Sequence, residues 1–164
     1  MSGQELNCNL LLLSCEQYIA RILCFNSKFT EAEKIFDKIS VEYKKIFNVE
    51  NNEYTASVLI DQLKMARFTL DFKKREELVE KLALIYSTFD HFRLMKSNAF
   101  MEFVYEKILH LLDLNKIEDA MIRCKNILDL LKKNSSMFWY TQFRLIYCMC
   151  IRKSPRKSQE SMEI

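Results

Sequence analysis

Between Gln4 and Ser154 the chain contains neither glycine nor proline; its one glycine is Gly3 and its one proline is Pro155. The interior therefore lacks the two residues that most strongly punctuate local structure. Tight hairpins need positive φ, supplied by glycine or by Asn-Gly and Asp-Gly pairs, and none of these occurs. A β or α/β fold joined by short turns is excluded on this ground. Long helices that end on Asn, Asp or Ser are readily built, so the expected class is all-α.

Seven helices are expected. The first runs from about Leu6 to Phe25 and ends at Asn26-Ser27. The second starts at Thr30, read as an N-cap with Glu33 three residues on, the spacing of a capping box. Its apolar positions Ala32, Ile35, Phe36, Ile39, Tyr43, Ile46 and Phe47 repeat at the 3-4 spacing of one helical face. Polar Asn48–Glu53 leads to a third helix ending near Phe72, with Lys73-Lys74-Arg75 read as a break. A fourth carries Leu78, Leu82, Ile85 and Phe89. A fifth covers about Phe92 to Leu114, a sixth Ile117 to Lys132, and a seventh Met137 to Ile151. Connections this short make consecutive helices antiparallel neighbours.

At 164 residues the chain is the size of one domain and can bury about 70% of its unfolded surface, so it needs no metal or disulfide to fold. Residues 1–152 are read as a single helical domain and 153–164 as a disordered, basic and polar tail. Leu10–Leu13 is a short apolar run without a basic segment before it, which points away from a signal peptide or membrane span. The six cysteines, Cys8, Cys15, Cys24, Cys124, Cys148 and Cys150, are read as reduced and mostly buried thiols of an intracellular protein, nuclear or cytoplasmic. The net charge of +3 is too slight to indicate a nucleic-acid partner by itself.

Ile19-Ala20, Leu23, Ser27, Phe29, Ala32, Phe36 and Ile39 fall where a tetratricopeptide repeat puts its packing residues. A weaker echo runs through Ile108, Leu111, Asn115, Ile117, Ala120, Cys124 and Ile127. Residues from about Glu16 to Glu42 thus resemble one repeat of the tetratricopeptide family. The resemblance implies Ala20 and Ala32 at close helix contacts, Leu23 among the packing residues and Phe36 packed toward the next repeat, with Ala120 in the matching slot of the weaker echo. Ala32 and Ala120 lie 88 residues apart, or two units of about 44, longer than the family's usual ~34. The family's tryptophan, closing proline and turn glycines are replaced or missing. Two architectures stay open, a tetratricopeptide-like array of hairpins and an irregular helical bundle.

Little in the sequence suggests chemistry. Phosphate-cradling loops require glycines, so nucleotide cofactors are not expected. Zinc needs four converging ligands, and Cys148-x-Cys150 would point its two side chains about 200° apart on a helix. His91 reads as a cap and His110 as a boundary residue. No catalytic, cofactor or metal residues are assigned, and no small-molecule substrate is expected.

Binding is the expected activity. Phe138, Trp139, Tyr140, Phe143 and Tyr147 form a wide aromatic arc on the last helix, read first as closing the core and alternatively as a binding face wider than one neighbour covers. The first helix, rich in cysteine, also lacks a neighbour on one side. Ser154-Pro155-Arg156-Lys157 resembles the target pattern of cyclin-dependent kinases. Phosphate on Ser154 would offset the positive charge of Arg152, Lys153, Arg156 and Lys157. The expected function is a non-catalytic adaptor or scaffold that binds other proteins, as part of a larger complex. The alternative is a nucleic-acid-associated protein using that basic patch.

Overall fold

A computed structural model describes residues 3–48, 52–89, 94, 97–134 and 136–154; within these, side chains are described except at 132–134. Seven helices are present among them and no strand: α1 Gly3–Phe25, α2 Phe29–Phe47, α3 Glu53–Phe68, α4 Phe72–Ser87, α5 Asn98–Asp113, α6 Ile117–Asn134 and α7 Met137–Lys153. Contacts gather the chain into two compact units, residues 1–100 and 101–164.

In the first unit α1 packs on α2, α2 on α3 and α3 on α4. Leu13 and Ala20 of α1 meet Ala32, Phe36, Ile39 and Tyr43 of α2 and Val58 and Met65 of α3 in one cluster. Ala20, Ala32 and Phe36 are fully buried, and Leu23 is partly buried against the same cluster. Two alanines at this crossing let the helix backbones approach closely. Helix α3 is buried on most sides, from Ala56 through Ala66, as a helix enclosed by neighbours must be. In the second unit α6 packs on α7, with Ala120, Cys124 and Leu131 of α6 and Trp139, Phe143, Ile146 and Cys150 of α7 buried.

Three joints share one backbone pattern. Ser27, Leu70 and Asn115 each adopt positive φ, at 59°, 57° and 57°. In each case the next residue donates its N–H to the carbonyl five back: Lys28 to Leu23 at 2.8 Å, Asp71 to Ala66 at 2.9 Å and Lys116 to Leu111 at 2.8 Å. The positive-φ residue itself donates three back, to Cys24, Arg67 and Leu112. This is the Schellman closure, which satisfies carbonyls left open at a helix end. Leu70 follows Ser27 by 43 residues and Asn115 follows Leu70 by 45. Positions counted from these joints correspond in burial: Ala32, Arg75 and Ala120; Ala20, Leu63 and Ile108; Leu13, Ala56 and Met101; Tyr43, Tyr86 and Leu131.

The joints also correct the sequence reading. Lys28 directly follows the closure of α1 and caps α2, without a side-chain cap bond. Thr30 is therefore already inside the helix, and the Thr30–Glu33 capping box does not form; Glu33 instead pairs with Lys74. Lys73-Lys74-Arg75 is no break but the first turn of α4, entered through Asp71, whose carboxylate accepts the Lys74 N–H at 3.0 Å. The break lies at Thr69-Leu70-Asp71, so α3 stops at Phe68, short of the expected Phe72. His110 is buried rather than at a boundary.

Candidate protein-interaction surfaces

Helix α1 carries apolar residues on two sides. Its inner side packs into the first unit and is tied by polar groups as well. Gln17 Nε2 donates to Asp61 Oδ2 at 2.6 Å and to Ser57 Oγ at 3.1 Å, and Arg21 Nε donates to the same Asp61 oxygen at 2.7 Å. Lys38 of α2 pairs with Glu16 at 2.6 Å. Burial raises the Asp61 carboxyl above its ordinary value, opposed by the Gln17 and Arg21 bonds. Nearby Cys24 is also raised, by burial and by the Asp61 charge.

The outer side of α1 is open. Leu11, Leu12, Tyr18, Ile19, Ile22 and Phe25 are exposed, Leu11 to 67% and Phe25 to 82%. Cys8 and Cys15 are exposed with them. Cys8, Leu11, Cys15, Tyr18, Ile22 and Phe25 follow a 3-4-3-4-3 spacing, and Leu12 and Ile19 widen the stripe on one flank. No charged residue falls within it. Beside it, a groove of about 600 Å³ between α1 and α2 has Leu12, Leu13 and Ile46 among its lining and Glu16, Lys38, Glu42 and Lys45 as its charged groups. At 23 residues, α1 is long and apolar enough by length and composition to cross a bilayer, a property the four-leucine run did not disclose. In the fold, however, its Glu16, Gln17 and Arg21 are bonded to α2 and α3.

Helix α7 divides the predicted aromatic arc. Trp139 and Phe143 turn inward and are buried, with their ring centres 6.3 and 6.0 Å from Tyr105 of α5. Tyr140 and Tyr147 are half-buried. Phe138 alone of the five is exposed, at 63%, its ring edge-on to Trp139. The outer face is completed by residues the arc did not include: Met137, Leu145 and Met149, all exposed, with Thr141 and Cys148. Arg144, Arg152 and Lys153 are exposed on the same helix, which carries no acidic residue. Ser154 caps α7, its N–H donating to the Ile151 carbonyl at 3.3 Å. Pro155, Arg156 and Lys157 lie outside the described residues, as does His91.

The cysteines differ in exposure, contrary to the expectation that most are buried. Cys8, Cys15 and Cys148 are exposed, Cys24 is partly buried, and only Cys124 and Cys150 are buried; all six are free thiols. Cys148 and Cys150 face opposite ways, as their spacing on a helix requires. Burial pushes the Cys124 thiol up to about 12, with Cys150 adding to the shift. Its Sγ lies 3.7 Å from the Phe143 carbonyl oxygen, to which it donates. Such a thiol stays protonated at neutral pH and is a poor nucleophile. Among the described residues no group of three or more His, Cys, Asp or Glu side chains is positioned to hold a metal.

No family model, curated protein or solved structure matches this chain.

Proposed function

We propose that the chain is a non-catalytic, intracellular helical scaffold that holds other proteins through the outer faces of α1 and α7. The observation that carries this reading is the uncharged stripe from Cys8 to Phe25 on α1. A contiguous exposed apolar surface rimmed by polar groups is the usual mark of an interaction site, and a five-turn helical face is suited to another helix. We read the body as a divergent tetratricopeptide-like array. The three Schellman joints at intervals of 43 and 45 residues and the matched burial of Ala32, Arg75 and Ala120 support a recurring helix-joint-helix unit, on a period longer than the family's ~34 residues. Phosphorylation of Ser154 is part of the same proposal, since it would add negative charge beside Arg152 and Lys153.

The test is affinity purification of the full chain beside an Ile19→Glu/Ile22→Glu variant, with mass spectrometry of what is captured. Both positions are more than half exposed, so the variant should keep its helical circular dichroism and melting temperature while losing specific partners. An unchanged partner set would contradict the reading. Stable insertion of the wild-type chain into neutral lipid vesicles would also contradict it, by giving the stripe to a membrane.

A further inference from the structure

The outer face of α7 differs from that of α1 in carrying charge of one sign. Phe138, Leu145 and Arg152 are spaced seven apart, so they fall within about 40° of one another around the helix, and Met149 lies about 20° beyond Phe138. Thr141 and Cys148, three after Phe138 and Leu145, complete a seam with the heptad spacing of paired helices. Arg144 lies on one flank of this seam and Lys153 on the other. All of these side chains are exposed, and α7 has no acidic residue to neutralise its three cations.

From this arrangement we propose that the outer face of α7 binds an acidic amphipathic helix of a partner protein. Apolar side chains of the partner would cover Phe138, Leu145 and Met149, while its carboxylates would meet Arg144, Arg152 and Lys153. Arg152 continues the line of the apolar stripe at its C-terminal end, one turn beyond Met149, its last exposed apolar residue. A bilayer-lying helix keeps its cations on the polar side and its apolar face free of charge. A paired helix instead uses a charge in the seam to fix register, by placing an opposite charge at that level. Two of the exposed apolar residues, Met137 and Met149, are of the flexible kind common at surfaces that accept helices.

This inference rests on the scaffold reading but commits only α7. The experiment is selection of binders to the full-length chain from a displayed library of helical peptides with random surface positions, followed by affinity measurement of the recovered peptides. The expected binders carry apolar residues at i, i+3 or i+4 and i+7, flanked by Asp or Glu. Their affinity should fall tenfold or more in Leu145→Glu and in Arg144→Glu/Arg152→Glu, fall with added salt, and be unchanged in Ile19→Glu. Circular dichroism and thermal melting establish that each variant is folded. Recovered peptides without acidic enrichment would overturn the proposal, as would binding that ignores the arginine substitutions. Tighter association with phosphatidylserine vesicles or with a nucleic-acid duplex than with any acidic helix would overturn it too. Loss of peptide binding in Ile19→Glu alone would leave the scaffold reading standing and remove this one.

Discussion

The first and last helices each bury one face and leave the other open, but the two are built differently on both sides. The inner face of α1 is a mixed contact, in which Leu13 and Ala20 pack while Gln17 and Arg21 bond to buried Asp61. The inner face of α7 consists of Trp139, Phe143, Ile146 and Cys150. Outside, α1 shows an uncharged stripe, whereas α7 shows an apolar seam edged with arginine and lysine. Helix α1 is thus seated partly by polar bonds and offers an apolar surface edged by the Arg21 guanidinium, which lies 5.1 Å from the centre of the Tyr18 ring. Helix α7 is seated by apolar packing and offers a surface selective for charge. On the proposed scaffold reading, the two faces suit two partners that obey different rules.

The largest effect should separate inside from outside on α7. Phe143→Ala is expected to destabilise by about 3–5 kcal/mol through the lost transfer energy and the cavity left behind. Phe138→Ala, five residues earlier, should change stability by no more than about 0.5 kcal/mol. Urea denaturation of the two variants checks this, and equal losses would break the division of the helix into two faces. On α1, Ala20→Leu should cost about 1–3 kcal/mol by forcing α1 and α2 apart, while Ile19→Ala on the outer face stays near zero in the same assay.

Smaller effects sharpen the contrast. Ser27 closes α1 at φ 59°, a conformation that costs a non-glycine residue roughly 1 kcal/mol. Ser27→Gly should therefore raise the melting temperature of the first unit by a few degrees and leave the second unchanged, as followed by hydrogen exchange. The Asp61 carboxyl is raised by burial, so the folded chain holds its proton at a pH where the unfolded chain has released it. Its contribution is present at low pH and is lost as pH rises through the carboxylate range toward the folded value. Stability measured across that range should fall more steeply in the wild type than in Asp61→Asn, and the seating of α7 should not follow it.

Much of the fold was legible because it depends on local rules. The helical class was legible because the interior lacks glycine and proline, and Ala20, Ala32 and Ala120, marked in the sequence as packing residues, are buried. The burial of Leu63 and Arg75 at the positions that correspond to Ala20 and Ala32 was hidden, because a buried arginine looks like a surface residue in sequence. The joint between them was hidden for the same reason, since Leu70 carries no turn signature although Asp71 after it does. The capping box at Thr30–Glu33 failed because the preceding closure had already started the helix. At the surfaces, the aromatic arc of α7 was visible but its split was not, because Trp139 and Phe143 turn inward only once α5 and α6 are in place. The open face of α1 did leave a signal: apolar residues on two 3-4 stripes, more than one neighbour needs.

The cysteines provide the most direct measurement of the account. Cys8 and Cys15 lie on the outer face of α1, Cys148 lies on the outer face of α7, and Cys124 and Cys150 are buried. Pulsed alkylation of the purified chain, read by mass spectrometry, should modify Cys8, Cys15 and Cys148 quickly and Cys124 and Cys150 only on unfolding. The same pulse applied to the chain in native extract should find Cys8 and Cys15 protected by a partner. Equal modification of those two thiols in both preparations would mean that nothing covers the stripe, and would contradict the claim that it is a binding surface.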